Sequence, residues 1–255
     1  MRLGCALAPV RLGGGPLGPG TIEEWGRTAE QLGYSSLWTF DAVGRGFMLS
    51  EPLISLALAA SATEQLELAT GIMQLPIRGA AGVAHRALTL QAVAPGRVLL
   101  GVGPGSTAAD FHAFGGDYAS RFERFESQWA ELRGFVRDGS VGDRELSPWP
   151  SIGDGPALAL AGWRGGWVER AAVEADAWIA SGFHADDDTL ADGLARYRAA
   201  GGQRAVVTNV QTADGIDAAV ERIRKLGAMG FDDVVVVDFA ASRDRLTDIH
   251  RGVFA

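Results

Sequence analysis

The stretch LELATGIMQLPIRGAAGVAHRALTLQAVAPGRVLLGVGPGS, residues Leu66 to Ser106, decides the fold of this chain. Two continuous apolar runs, Leu66–Leu75 and Arg97–Gly105, flank a helix-like segment over Ala81–Val93. Strands of a parallel sheet that is covered on both faces read as such runs, and the segment between them is long enough for a crossover. Both runs meet glycines toward their C-terminal ends, where parallel sheets bind ligands. The stretch therefore predicts a βαβ unit with a ligand site at its glycine-rich edge.

The same alternation of apolar runs and helix-like segments extends along the whole chain. Further strands are predicted at Leu3–Pro9, Ser35–Phe40, Ala157–Leu160, Ala177–Ala180, Ala205–Val210 and Asp233–Asp238. Further helices are predicted at Thr21–Gly33, from Pro52, at Ala119–Arg137, up to Glu174, and at Asp188–Ala199, Ile216–Leu226 and Ser242–His250. Eight strand–helix units without an interdomain linker predict an α/β fold, a single (β/α)8 TIM barrel formed as one domain by residues 1–255.

Composition narrows the class of protein. The chain has 255 residues, a net charge of −8 and 47% hydrophobic residues, so we expect a sizeable core and neither a nucleic-acid partner nor a membrane partner. The one cysteine, Cys5, lies in an apolar run and is predicted to be a buried thiol. Because no apolar stretch is long enough to span a bilayer and no signal peptide is evident, we expect a cytoplasmic protein.

Local signals mark two helix starts and one motif to be weighed. Thr21 followed by Glu24 predicts a capping box, and Ser50-Glu51-Pro52 predicts a helix with proline in its first turn. The segment Gly13–Gly18 fits G-x-G-x-x-G after a strand, with Asp41 placed where a ribose-binding acid is expected. Because two prolines crowd the segment and the helix starts only past its last glycine, a rim loop is favoured over a dinucleotide site.

Four segments resemble the luciferase-like monooxygenase family, the flavin- and deazaflavin-dependent barrel enzymes. They are Leu32–Asp41 (LGYSSLWTFD), Leu66–Arg78 (LELATGIMQLPIR), Gly96–Glu126 (GRVLLGVGPGSTAADFHAFGGDYASRFERFE), and the pair Leu160–Ala172 with Asp176–Gly182. Family members are usually longer, so the chain resembles a compact variant. The resemblance implies an oxidoreductase that binds F420, or alternatively FMN, and transfers hydride between the deazaflavin and a small organic substrate. The GC-rich codon usage that the Arg-, Ala- and Gly-rich composition suggests favours F420 by association.

The resemblance assigns most of the candidate site residues to the cofactor. It implies a non-proline cis peptide at Gly71-Ile72, which supports the back of the ring, and glycines that allow close approach to the backbone. The loop before the helix that ends at Glu174 is implied to hold the cofactor phosphate, through backbone N–H groups at the helix N-terminus and one arginine. The full cofactor-binding set is Thr70, Gly71, Ile72, Gly101, Gly103, Pro104, Gly105, Ala161, Gly162, Trp163, Arg164, Gly165, Gly166, Ser181 and Gly182.

Catalytic candidates are fewer. Asp41 ends a predicted strand facing the pocket, where a carboxylate can bond the ring or a substrate. The family often has histidine directly after this acid, but the chain has Ala42, so proton transfer must come from elsewhere. His184 is the candidate replacement; His112 is a weaker one, and His85 and His250 are interpreted as surface or packing residues. No metal-ligand spacing is present in the sequence.

Alternatives remain open at this point. An FMN-dependent monooxygenase with reduced flavin and O2 fits the same residues, and so does a catalytically degenerate flavin-binding barrel, which Ala42 motivates. A phosphate-substrate barrel such as an isomerase or aldolase would need a lysine or acid pair that the single Lys225 does not supply. The small, apolar segments Pro52–Ala62 and Ala81–Val93 are predicted to form a homodimer face.

Overall fold

The computed structural model describes residues 1–7, 18–46, 49–146, 154–163, 166–183, 185–238 and 242–255. Most of the glycine-rich segment at 13–18 lies outside these residues, and so do Arg164, Gly165 and His184. Within the described part of the chain, no helix is long and apolar enough to cross a membrane.

Parallel strands close into a barrel. The strands are β1 (Arg2–Ala6), β2 (Ser36–Thr39), β3 (Glu67–Thr70), β4 (Met73–Gln74), β5 (Val98–Gly103), β6 (Ser140–Val141), β7 (Arg144–Glu145), β8 (Ala157–Ala161), β9 (Ala177–Ser181), β10 (Ala205–Gln211) and β11 (Asp233–Val237). Strands β6 and β7 form a separate antiparallel hairpin. The others pair in the order β3-β2-β1-β11-β10-β9-β8-β5-β4, and a β3–β5 pairing closes the ring. Because β3 and β4 share one position, the barrel has eight strands and the predicted (β/α)8 fold is confirmed.

Helices follow the strands and cover the barrel. They are α1 (Thr21–Gln31), α2 (Pro52–Ala60), α3 (Leu75–Arg78), α4 (Ala80–Val93), α5 (Ala108–Ala113), α6 (Arg121–Arg137), α7 (Trp167–Glu174), α8 (Asp187–Ala199), α9 (Ile216–Met229) and α10 (Arg243–Phe254). The sequence analysis missed the two short helices α3 and α5, because each is too short to show a helical period.

Both predicted helix starts are observed, but the capping box predicted for the first of them is wrong. Helix α2 begins with Pro52, and the Glu51 side chain accepts a hydrogen bond from the Ile54 N–H at 2.8 Å. In α1, by contrast, Thr21 is already helical and the capping position belongs to Gly20, which has φ 77°. Thr21 therefore lies one residue too far along to cap the helix, and no side chain caps it.

One large aromatic side chain lies in the barrel interior. Trp38 is fully buried in a cluster that contains alanines such as Ala69 and larger aliphatic side chains such as Leu99. Its indole N–H donates to the Ser36 hydroxyl at 2.8 Å. Gly4 leaves the space for it, because a Cβ there would lie 2.8 Å from the indole nitrogen. The larger core lies between the outer faces of the strands and the helices.

An ion cluster closes the N-terminal end of the barrel. The Arg204 guanidinium binds both oxygens of Glu67, at 2.8 and 2.7 Å, and both oxygens of Asp233, at 2.9 and 3.0 Å. Arg2 adds a second contact to Glu67 at 2.5 Å. Burial works against the charge of Glu67, but Arg204 and Arg2 hold the pKa of its carboxyl below the ordinary value. In barrels of this kind this end serves stability rather than chemistry.

Candidate active site

A cleft of about 630 Å³ opens at the C-terminal end of the barrel. Strand ends and the loops that follow them form its walls, as expected for the ligand-binding end of this fold. Ten predicted site residues line it: Asp41, Gly71, Ile72, Gly103, Pro104, Gly105, Ala161, Gly162, Trp163 and Ser181. The apolar part of the wall adds Leu7, Phe40, Leu49, Ile179, Phe183 and Val237. The cleft is therefore a mostly apolar pocket with a few polar groups, the usual form of a small-molecule site.

The barrel strand formed by β3 and β4 is interrupted at the floor of the cleft. The Gly71-Ile72 peptide bond is cis, as the resemblance implied. Strand β3 ends at Thr70, and β4 resumes at Met73 to pair with Val102 of β5. Gly71 packs against the Trp38 ring, since a Cβ there would lie 3.0 Å from it. The interruption thus places Ile72 on the cleft wall directly above the filled interior.

The glycines after β5 have different surroundings. A Cβ on Gly103 would lie 3.2 Å from the Ile72 side chain, so this glycine keeps the lip of the cleft open beside Ile72. Gly105 has φ 80°, and a Cβ there would lie 2.4 Å from the Gln74 side-chain oxygen. Gly101 lies deeper, where a Cβ would be 2.1 Å from the Thr70 carbonyl oxygen. Neither Gly101 nor Thr70, whose hydroxyl bonds the Gly101 carbonyl, lines the cleft.

Asp41 lies at the cleft wall with both carboxylate oxygens occupied. One oxygen accepts from an Arg78 NH2 group at 2.6 Å, and the other accepts from Arg78 Nε at 3.1 Å and the Gln74 backbone N–H at 3.0 Å. Its side chain is 1% exposed. Burial lowers the pKa of the Arg78 guanidinium less than the hydrogen bond and charge of Asp41 raise it, so Arg78 stays charged at the cleft wall. Asp41 therefore fixes the start of α3 rather than offering a free acid or base.

Asp110 is a buried carboxylate that the sequence analysis did not single out. One oxygen accepts from the N–H groups of Val43 and Gly44, both at 3.0 Å. The other accepts from Arg45, at 3.0 and 2.7 Å, and from the Gln74 side-chain amide at 2.8 Å. Burial raises the pKa of Asp110, but these donors outweigh it and hold the pKa below the ordinary value. The residue ties the loop after β2 to α5 and so sets one wall of the cleft.

Gln74 connects the two carboxylates. Its amide nitrogen donates to the Asp41 carbonyl and to Asp110, each at 2.8 Å. Both amide hydrogens are thus used on acceptors, which fixes the orientation of the amide. Its oxygen is buried without a hydrogen-bond partner, against Gly105. A glutamine in an apolar strand run was the available signal, but one sequence does not show what the amide bonds.

The predicted phosphate side of the cleft is described in part. Helix α7 begins after Gly166, which has φ 76°, and no side chain caps its first turn. The Ser181 hydroxyl, on the cleft wall, is buried without a partner. Gly166 and Gly182 are outside the lining; the Gly182 N–H bonds the Thr208 carbonyl at 2.8 Å. Arg164 and Gly165 lie outside the described residues, so their predicted contacts stay predictions.

Comparison with known protein families identifies the family of this chain. The family model described as luciferase-like monooxygenase matches residues 1–227. The chain belongs to this family. The family assignment inferred from the sequence motifs is thereby confirmed, and it supports the expectation of an oxidoreductase.

Curated relatives within the luciferase-like family match parts of the chain. The 4-hydroxyprotoasukamycin monooxygenase of Streptomyces nodosus subsp. asukaensis is 36% identical over 40% of this chain and 27% of its own length. The N-acetyl-S-alkylcysteine monooxygenase of Bacillus subtilis is 31% identical over 52% of this chain and 42% of its own length. The matches thus span less than half of these two relatives.

Solved structures agree with the fold over nearly the whole chain. An F420-dependent secondary alcohol dehydrogenase, in complex with an F420-acetone adduct, superposes with a TM-score of 0.76 at 15% identity. The match covers 99% of this chain and 98% of that one. The oxygenating constituent of 3,6-diketocamphane monooxygenase from Pseudomonas putida, in complex with FMN, has a TM-score of 0.76 at 15% identity and covers 99% and 97%. Both show the luciferase-like barrel.

No described histidine lines the cleft. His112 is exposed on α5, and His85 is exposed on α4. His250 packs edge-on against Tyr34, with ring centroids 5.3 Å apart, on the outside of the barrel. His184 lies outside the described residues, so its catalytic role stays a prediction. In the part of the chain that is described, no cluster of potential ligands could hold a metal ion.

Proposed function

We propose that this chain is an F420-dependent oxidoreductase that supports hydride transfer between the deazaflavin and a small organic substrate. The observation that carries the proposal is the cleft: Ile72 and Gly103 are adjacent on its wall, and Gly103 has no Cβ to fill the space beside Ile72. A flat ring can therefore approach the backbone closely at this point. The interrupted β3–β4 strand would support the back of the ring.

The far side of the cleft fits a phosphate group. The first turn of α7 carries backbone N–H groups that no side chain caps, and this end of the helix has a partial positive charge. The Ser181 hydroxyl lies on the wall, is buried with no hydrogen-bond partner among the described residues, and can donate to a phosphate oxygen. Arg164 and Gly165 complete the predicted cradle. These residues together suit a phosphorylated cofactor.

The protein supplies position and electrostatics in this proposal. When bound, the deazaflavin supplies or accepts the hydride. Asp41 and Arg78 hold the peptide after the ring support in place, and the apolar wall keeps water away from the reacting face. The proton that accompanies hydride transfer to a carbonyl would pass through a residue other than Asp41, and His184 is the proposed group.

The cofactor is the open part of this proposal. Structural matches of equal TM-score to an F420-dependent alcohol dehydrogenase and to an FMN-bound monooxygenase do not separate the two cofactors, so F420 is favoured here only by the Arg-, Ala- and Gly-rich composition. FMN, with reduced flavin and O2, is the second candidate, because the two curated relatives named above are monooxygenases. A degenerate barrel that binds cofactor without turnover is the third, because Ala42 replaces the family's frequent histidine and Asp41 is already paired.

Two turnover assays, one anaerobic with F420 and one aerobic with FMN, distinguish the three. The purified protein is mixed with F420 and a panel of secondary alcohols, and the absorbance of the oxidised deazaflavin is followed. Loss of this absorbance that depends on protein and alcohol supports the F420 enzyme. Oxygenated product from FMN, a flavin reductase and O2 supports the monooxygenase. Cofactor binding without either reaction supports the degenerate barrel.

We further propose that residues 1–255 form one domain and that the protein is cytoplasmic and forms a homodimer.

The dimer proposal rests on α2, where Ile54 is 61% and Leu58 is 38% exposed beside the small residues of α4. Sedimentation velocity of the purified chain tests it.

A further inference from the structure

Among the described residues that line the cleft, the charged side chains are paired with partners within the protein. Among the described lining residues only Asp41 and Arg45 carry a formal charge. Arg78 occupies both oxygens of Asp41, as described above. Arg45 directs Nε and one NH2 group to a single Asp110 oxygen. This described part of the wall therefore presents two ion pairs, and the charge of Arg45, which is 31% exposed, is balanced by Asp110.

The partners of these charges lie behind the wall. The Asp110 side chain is fully buried, and Arg78 is 11% exposed. A charged group placed against this part of the wall, away from the predicted phosphate cradle, would lose its hydration without meeting a net counter-charge, and this costs binding energy. An anion would have to compete with the buried Asp110 for Arg45. A neutral ligand meets no such penalty.

The remaining wall favours apolar contact with a few neutral hydrogen bonds. Leu49, Phe40 and Phe183 line the cleft with Ile179, and Phe183 is 61% exposed. The polar lining residues are uncharged: Gln74, Ser106, Thr107, Ser181, Thr208, Asn209 and Gln211. Groups of this kind bind a carbonyl, hydroxyl or amide rather than an ion.

We propose that the molecule that shares this cleft with the cofactor is uncharged and largely apolar. This inference rests on the proposed function, since it assumes that a second molecule binds beside a cofactor. It adds the substrate class to that function. The pair Arg45–Asp110 then acts as a positioning device for the loop after β2 and not as an anchor for a substrate carboxylate.

Ligand-observed NMR with a matched pair of probes tests the inference. Cyclohexanecarboxamide and cyclohexanecarboxylate have the same ring and differ in charge. Saturation-transfer titrations on the full chain, with and without saturating cofactor, give an affinity for each probe. We expect the amide to bind at least about tenfold more tightly than the carboxylate, because the carboxylate is desolvated without a partner. Equal or tighter binding of the carboxylate, or no binding of the amide, overturns the inference.

Two variants locate the effect. Asp110→Asn leaves the Arg45 charge unpaired, so the carboxylate should gain affinity and the gap between the probes should narrow. Arg45→Met, which keeps a long apolar side chain but leaves Asp110 without its counter-charge, should weaken the carboxylate more than the amide and so widen the gap between the probes. Arg27→Met on α1, outside the cleft, is the matched control and should change neither. An unchanged gap in both cleft variants also contradicts the inference.

The outcome is separable from that of the proposed function. Binding of the amide to cofactor-free protein, with neither F420 nor FMN bound in a parallel titration, refutes the proposed function while the charge preference is still measured. Cofactor binding with a preference for the carboxylate refutes only the substrate class.

Discussion

Arg78 holds both oxygens of the Asp41 carboxylate, at 2.6 and 3.1 Å. The acid at the end of β2 is therefore part of a closed ion pair at the cleft wall. Its position matches that of a catalytic candidate, but its bonds are those of a group that fixes the chain around it. Several measurable consequences follow from this pair and its neighbours.

Removing the charge of Asp41 should cost stability. In Asp41→Asn the nearly buried Arg78 guanidinium loses its ionic partner, and breaking one side of such a pair costs about 3 kcal/mol. Urea unfolding measures the loss. The control is Glu24→Gln, which removes the exposed pair with Arg27 and should cost no more than about 1 kcal/mol. Equal losses of unfolding free energy in the two variants would show that the buried pair stabilises the fold no more than the exposed pair does.

Gly105→Ala should weaken the site as well as the fold. The added Cβ meets the Gln74 oxygen at 2.4 Å, and φ of 80° is unfavourable for alanine. Gly96→Ala separates the two effects, because Gly96 has φ 74° and no atom within 4 Å of a Cβ. We expect Gly96→Ala to lose about 1–2 kcal/mol from backbone strain alone. Gly105→Ala should lose more and should also lower cofactor affinity. If the two variants lose the same stability in urea unfolding and have the same cofactor affinity, Gly105 has no packing role.

Replacing Trp38 in the barrel interior should lower both the stability of the fold and the affinity of the cleft for the cofactor. Trp38→Ala leaves a cavity there and should cost about 3–5 kcal/mol. Because Gly71 rests on the indole ring, the variant should also reduce cofactor affinity. Trp129→Ala is the control: Trp129 is equally buried but lies in the outer core. It should cost similar stability with unchanged cofactor affinity of the folded protein, and an equal loss of affinity would refute the link.

The ion cluster at the opposite end should make stability depend on acid. The pKa of Glu67 is lowered in the folded state from an ordinary value of 4.5. Its contribution is therefore fully present above that value and is lost as the pH falls through the lower, folded-state pKa. Glu67→Gln should cost about 2–3 kcal/mol at neutral pH, and its difference from the wild type should shrink in acid. Urea unfolding across this range checks the trend; a difference that is constant with pH contradicts it.

The barrel fold could be predicted from the sequence, because an apolar strand run followed by a helix-like segment repeats along the chain. The sequence also located much of the cleft wall, since residues that follow barrel strands share one end. The roles of single residues were harder to predict. Asp41 was expected to bond the cofactor ring or a substrate, but both of its oxygens bond Arg78, which lies on α3, a helix too short to be predicted from the sequence.

The hydrogen-bond partners of Asp110 could not be predicted from the sequence either. It lies on α5, six residues long, and it bonds the loop at Val43–Arg45, far away in the chain. Periodicity reports which face is buried, but long-range hydrogen bonds between loops leave no pattern in one sequence. Gly101 likewise resembled a cofactor glycine, whereas its surroundings in the barrel are Thr70 and Ile179.

The central claim is that the C-terminal cleft binds F420 beside Gly103. The most direct measurement is a fluorescence titration of the wild type and of Gly103→Val with F420, and with FMN in parallel. The added side chain would press on Ile72 and fill the lip, so we predict saturable F420 binding by the wild type and at least about a tenfold loss in the variant. Gly96→Ala should bind as the wild type does. Binding of FMN alone would replace the cofactor in this proposal, and binding of neither, or equal binding by Gly103→Val, would contradict the site itself.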